Sequence, residues 1–292
     1  MTIKKICIGS ANFGMEYGLN KKSPLLKKDI KEIFEFFKKE KNIYIDTAAN
    51  YKNSEIIIGK YSTKKFKIIT KIKKIPKGIK DLEKWLKNEI YISCKKLRVK
   101  KIYGLLIHDT KDLKNKKDAK KIYKTFDILK KSKIIEKIGL SIYNPNELDL
   151  YLKNYNFEIV QAPLNIFDRR IVNSGWLKKI NEKGIEFFAR SIFLQGLLIK
   201  DINKIDKFFL PYKKKFEKFD TWTQKLNISK VEACIRFVNS FREVDKIIVG
   251  INNKMHFFEN YKFFKKDKLI VPNSLEIKSG KILNPKLWKK VN

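Results

Sequence analysis

Tyr44-Ile45-Asp46-Thr47-Ala48-Ala49-Asn50-Tyr51 opens with a short apolar run that stops at a carboxylate. A run this short, with no alternation of polar residues, reads as a strand covered on both faces. The pattern recurs through the chain. Candidate strands fall at 3–9, 44–46, 67–71, 102–108, 137–141, 158–162, 186–190 and 246–250, as a set rich in Ile and Val. Between them lie amphipathic patterns of helical period. Segment 26–41 sets Ile30, Ile33, Phe34 and Phe37 on one face with lysines opposite, and 79–97 does the same with Leu82, Trp85, Leu86 and Ile90. Segment 118–133 begins acidic and ends basic, as the helix dipole favours. Asn144-Pro145 supplies a cap and a first-turn proline, and 171–182 ends before Gly184. Segments 229–241 and 254–263 complete the set.

Strand and helix in strict alternation predict a (β/α)8 TIM barrel, a single α/β domain over residues 1–292. A doubly wound open sheet is the structural alternative, but no GxGxxG turn follows the first strand. Residues 201–228 break the rhythm and predict an excursion over the barrel mouth, and the tail after about 271 is expected to wrap a face of the barrel.

The formal net charge is +36, carried by 67 basic against 31 acidic residues. Only six of the basic residues are arginine, and the lysines run through the whole chain with no single tail. Planar recognition of phosphate or guanine favours arginine. No specific nucleic-acid partner is therefore expected, only non-specific attraction at low salt. No apolar run approaches the roughly 20 residues of a membrane span. Cys7, Cys94 and Cys234 have neither metal spacing nor a disulfide pattern. The first residues lack the apolar stretch of a signal peptide, and the expected location is cytoplasmic.

If the runs are successive parallel strands, Asp46, Lys71 and His108 end three consecutive strands, with Tyr51 just above the first. Barrel sites sit at that rim. Tyrosine, with an ordinary pKa of about 10, is a weak acid. A neighbouring Lys71 ammonium would lower it, Asp46 would orient the lysine, and His108 would hydrogen-bond a substrate oxygen. The four together form a pocket that protonates a carbonyl, and such a pocket needs a hydride source, a nicotinamide cofactor, and no metal.

At these residues the chain resembles the aldo-keto reductase family, from about residue 6 to 260. Ile8-Gly9-Ser10-Ala11-Asn12-Phe13-Gly14 is similar to the family's first strand and turn. Ile45-Asp46-Thr47-Ala48 with Tyr51 and Ser54-Glu55, then Thr70-Lys71, then Leu105-Leu106-Ile107-His108, resemble its catalytic segments in order. The resemblance implies a tetrad of Asp46, Tyr51, Lys71 and His108. It further implies cofactor contacts from Gly9, Ser10, Asp46, Ser141, Gln161, Arg190, Ser191, Phe193, Gly196, Gly250, Asn252, His256, Glu259 and Asn260. Three departures stand out. Ile142 follows the carboxamide-binding Ser141 where many relatives have Asn. Arg190 stands where many stack an aromatic ring on the nicotinamide. The positions of the usual 2′-phosphate contacts hold Gly250 and His256, with Lys254 and Asn252 as substitutes.

The leading expectation is an NADPH-dependent oxidoreductase, with NADH the other cofactor, that reduces a small aldehyde or ketone, sugar-derived or acidic. Asp109, Asn165, Arg169, Arg170 and Arg190 are candidates to line its pocket, although Arg169-Arg170 are better read as structural ion-pair residues. The alternatives are a redox-sensing regulatory protein on the same fold, and a redox-neutral lyase or epimerase with bound cofactor. Oligomeric state is left open.

Overall fold

The computed structural model describes residues 5–16, 18–19, 23–38, 40, 42–61, 66–251, 254–278 and 280–288. Eight parallel strands close in chain order: β1 (Ile6–Gly9), β2 (Ile43–Asp46), β3 (Phe66–Lys71), β4 (Ile102–Ile107), β5 (Ile135–Ser141), β6 (Ile159–Pro163), β7 (Glu186–Arg190) and β8 (Lys246–Gly250). β8 pairs with both β7 and β1, which seals the cylinder. The register aligns Gly9 with Asp46, Ser141 with Gln161, and Pro163 with Arg190, so polar strand ends meet at one rim. The expected strands at 3–9 and 102–108 are shorter in the fold. Residues 3 and 4 lie outside the described residues, and His108 stands one residue past β4.

The helices follow the strands. They are α1 (Ala11–Gly14), α2 (Lys27–Phe37), α3 (Ser54–Tyr61), α4 (Leu82–Leu97), α5 (Lys116–Lys131), α6 (Glu147–Asn154), α7 (Arg170–Asn173), α8 (Trp176–Glu182), α9 (Lys213–Lys225), α10 (Lys230–Asn239), α11 (Lys254–Phe263) and α12 (Gly280–Leu283). Caps set several starts: Asp81 accepts from the Lys84 amide, Asn115 from Lys117 and Asp118, and Ser229 from Glu232. Two expectations fail in detail. Residues 171–182 do not form one helix, because Gly175 adopts φ +74° between α7 and α8. Helix α6 begins at Glu147, with Asn144 instead bonding the Asn146 amide two residues on.

The barrel interior is filled by Cys7, Tyr44, Ile69, Tyr103, Leu106, Ile159 and Phe188. Its N-terminal end is floored by aromatic and ionic contacts. The Tyr44 and Tyr103 rings meet edge to face at 5.1 Å, the Tyr103 hydroxyl donates to both oxygens of Glu186, and Lys137 Nζ donates to Glu186 Oε1 at 2.8 Å. A filled floor leaves the C-terminal rim as the end available to a ligand. The outer shell of Ile, Leu and Phe between sheet and helices forms the main core.

Residues 201–228 form short 3-10 turns and α9. Beyond 271 the tail crosses back to the barrel: the Ile277 amide donates to Phe167 O, and the Trp288 ring packs edge to face on Phe209 at 4.9 Å.

Candidate active site

Lys71 ends β3 almost wholly out of solvent, at 2% exposure. A buried ammonium must have all its protons bonded, and this one does. Its Nζ donates to Asp46 Oδ1 at 2.6 Å, to Asp46 Oδ2 at 2.8 Å and to Thr47 O at 2.8 Å. Gln161 Nε2, from β6 across the barrel, donates to the same Asp46 Oδ1 at 2.8 Å. One carboxylate thus ties β2, β3 and β6 together at the rim.

The turn after β2 carries Tyr51 over this pair. Lys71 Nζ lies 5.6 Å from the Tyr51 ring centroid, and the His108 ring meets Tyr51 edge to face at 6.1 Å. All four side chains border one cavity of about 300 Å³ at the C-terminal end of the strands. Among the described residues the Tyr51 hydroxyl has no hydrogen-bond partner.

The electrostatics correct one expectation. Lys71 does not make Tyr51 more acidic. Burial pushes the Tyr51 hydroxyl far above its ordinary value, the Asp46 charge adds to this, and Arg190 only partly offsets it. Burial is the larger cause, and the Lys71 charge is itself paired with Asp46. His108 moves the other way. Burial, reinforced by the Lys71, Arg190 and Lys286 charges, brings its pKa down to about 3. At neutral pH it is a neutral imidazole, able to donate one hydrogen bond without carrying charge.

The turn carrying Tyr51 is braced from behind. Ser54, opening α3, donates to Ser10 O and to Ser10 Oγ, and Ser10 Oγ donates to Asp46 O. A β-carbon at Gly14 would stand 2.4 Å from the Ser54 amide nitrogen, so the β1 loop approaches α3 as closely as only glycine permits. Glu55 receives Thr70 Oγ1 and Ser93 Oγ, locking α3 to β3 and α4.

The remaining expected residues divide in two. Gly9, Ser10, Ser141, Gln161, Arg190, Ser191, Phe193, Gly196 and Gly250 border the same cavity. His256 and Glu259 are exposed on α11, Asn260 is half-buried there, and none of the three borders it. Lys254 instead pairs with Glu32 at 2.6 Å, and Asn252 lies outside the described residues. Of the polar-pocket candidates, only Arg190 borders the cavity. Arg169 donates to Ile166 O, Val271 O, Pro272 O and Asn273 Oδ1, Arg170 forks onto Asp168, and Asn165 accepts from the Phe167 and Asp168 amides while donating to Ser191 O past β7. Asp109 accepts from Lys286 at 2.8 Å.

Three contributors were not foreseen. Tyr143 borders the cavity beneath the Arg190 guanidinium, at 4.1 Å from ring centroid to Cζ. Lys286 arrives from the tail, 4.8 Å from the same ring. The Leu19 amide donates to Gln195 O, joining the β1 and β7 loops across the cavity's edge. The last depends on left-handed backbone at Leu194 and Gln195, for which these side chains give no sequence signal. Tyr143, two residues beyond Ser141, could have been found from its distance past the strand end.

The model of the aldo/keto reductase family matches residues 5–270, so the chain belongs to that family, a family of oxidoreductases that generally bind NAD(P)H. Similar solved structures include the holo form of aldo-keto reductase AKR11C1 from Bacillus halodurans, with TM-score 0.72 and 18% identity over 91% of this chain and 88% of that one. PA4992 of Pseudomonas aeruginosa, described as a candidate aldo-keto reductase, has TM-score 0.62 and 16% identity over 89% of each chain. No curated protein matches the sequence. Among the described residues no cluster of His, Cys, Asp and Glu could hold a metal ion, and no helix is long and apolar enough to cross a membrane.

Proposed function

We propose that this chain reduces a small aldehyde or ketone using NADPH, with Tyr51 as the proton donor. The observation that carries the reading is the buried Lys71–Asp46–Gln161 network set beneath Tyr51 and His108 at the edge of one cavity.

The donor set fits a nicotinamide nucleotide. Ser141 borders the cavity, and the Gln161 amide oxygen accepts no hydrogen bond among the described residues, so both can meet a carboxamide. No heavy atom lies within 4 Å of where a β-carbon would stand at Gly196 or Gly250, so a ligand can approach the backbone there. Ser191 and Phe193 border the same wall. Such a cofactor supplies a hydride when bound. NADPH is preferred over NADH on the chain's strong positive field, which favours the extra phosphate.

The protein's own part is to manage charge at the substrate oxygen. As that oxygen gains negative charge, Tyr51 Oη–H and the neutral His108 donate to it. The developing alkoxide is a stronger base than a tyrosinate, so the Tyr51 proton transfers toward substrate even with its pKa raised. Lys71 and Asp46, bonded to each other below the tyrosine, form the floor over which Tyr51 is placed, and Arg190 is the cation that offsets part of the charge left on its oxygen.

Tyr51→Phe is expected to lower turnover by about 10²–10⁴-fold while leaving the NADPH dissociation constant within about threefold. Turnover is read at the cofactor absorbance and binding by fluorescence titration. Equal loss of both would remove Tyr51 from the chemical step, and failure of the wild-type protein to bind either nucleotide would end the reductase reading.

A further inference from the structure

Arg190 is a charge in this cavity that the proton-transfer scheme does not use. It ends β7, and its guanidinium is fixed from three sides: Nη2 donates to Ile142 O at 2.8 Å, Nη1 donates to Ser191 Oγ at 3.2 Å, and Cζ lies over the Tyr143 ring at 4.1 Å. All of these neighbours are uncharged. Among the described residues no carboxylate pairs with it, and its Nε is buried without a hydrogen-bond partner. The nearby charges are already balanced: Lys71 by Asp46, and Lys286 by Asp109. His108 is neutral. Beside Tyr51 and His108, Arg190 is therefore a positive charge without a carboxylate partner among the described residues, on a rigid fork of donors suited to a carboxylate or another oxyanion. Its field reaches the reacting groups, since Arg190 acts on both Tyr51 and His108.

We infer that Arg190 selects the substrate: this reductase takes aldehydes or ketones that carry an anionic group, and Arg190 holds that group while Tyr51 and His108 hold the carbonyl oxygen. The inference rests on the reductase reading above and adds the substrate class to it. A guanidinium has five N–H donors and this one spends two on Ser191 Oγ and Ile142 O, so Nη protons remain for a planar anion. Tyr143, stacked beneath, keeps the fork from swinging toward bulk water.

The test compares succinic semialdehyde with its neutral methyl ester as substrates of the NADPH-loaded protein, at about 0.15 M salt to screen the long-range field of the chain. Wild type is expected to favour the acid in kcat/KM by about tenfold or more, and Arg190→Met to bring that ratio near one, whatever loss the two aldehydes share. A wild-type ratio near one overturns the proposal. So does a ratio unchanged in Arg190→Met, or a variant whose only defect is weaker NADPH binding, which would assign the arginine to cofactor phosphates. Calorimetric titration of succinate and of neutral succinamide into NADPH-loaded protein reads the same subsite without turnover. Preferential succinate binding that Arg190→Met abolishes, with neither aldehyde reduced, would sustain the anion subsite and sink the reductase reading. Equal or absent binding of both would sink the subsite.

Discussion

Asp46 holds the site's charges in balance, so its replacement has a cost that can be calculated in kind. Lys71 is buried and spends two of its three protons on that carboxylate. Asp46→Asn leaves the ammonium with no counter-charge, and removing one partner of a buried pair costs about 3–5 kcal/mol. Urea unfolding at neutral pH should show that loss; a change under about 1 kcal/mol would mean the Lys71 charge is compensated elsewhere. His108 gives a pH signature of the opposite kind. Its folded pKa, about 3, lies below the ordinary value of 6.5. The unfolded chain therefore takes up a proton near 6.5 while the folded chain waits until about 3. The contribution is fully present above 6.5 and is lost as pH falls through the window down to about 3. Wild type should lose more stability between about pH 7 and 4 than His108→Gln. Over the same range kcat/KM should show no histidine titration, and an acid limb near 6.5 that vanishes in His108→Gln would contradict the buried, neutral ring. At this scale the sequence was legible as far as bringing Asp46, Tyr51, Lys71 and His108 to one cavity. Which side chain acts on which was not: the tyrosine's pKa depends on how deeply it is buried and on how near Asp46 and Arg190 stand, distances that spacing along a strand does not contain.

Elements were legible where their period was regular. All eight strands fall where short apolar runs stand, because strands covered on both faces need no polar alternation. The break between α7 and α8 was missed because Gly175 sits inside an otherwise helical pattern, where one left-handed residue is enough to restart the helix. The tail was unreadable for a different reason: it has little regular structure and is held by long-range contacts. Arg169 is the latch. Its buried guanidinium, lying over the Phe237 ring, donates to Val271 O, Pro272 O and Asn273 Oδ1, about one hundred residues away in sequence. Arg169→Met keeps much of the apolar contact and strands these acceptors. A loss of about 1–3 kcal/mol is expected, with faster amide exchange across 271–278 than elsewhere in the chain. Uniform destabilisation without that local exchange would show that Arg169 supports α7 rather than the tail. Because Lys286 on the same tail pairs with Asp109 beside His108, the exchange should extend to the loop after β4.

For the whole molecule, the question is what a net charge of +36 does. Its placement answers in part. Of the lysines, only Lys71 is buried among the described residues, and many of the rest sit on helix faces turned to solvent. Most of the ion pairs join half-exposed partners, such as Lys101 with Glu136 and Lys131 with Asp127, and pairs of that kind add little stability. Among the described residues the exposed lysines are spread over many helices, and a chain with six arginines has few of the planar forks that read a nucleic acid. The charge raises the local concentration of anionic small molecules around the barrel, the class that the Arg190 subsite would retain, and it attracts any polyanion by counterion release. Binding to short duplex DNA should therefore be measurable at about 50 mM salt, independent of sequence, and lost by about 200 mM. Fluorescence anisotropy with two unrelated duplexes would decide the matter. Sequence preference, or binding that survives at the higher salt, would mean that the lysines form a specific face after all, and would reopen nucleic-acid recognition as a second activity beside the reductase cavity.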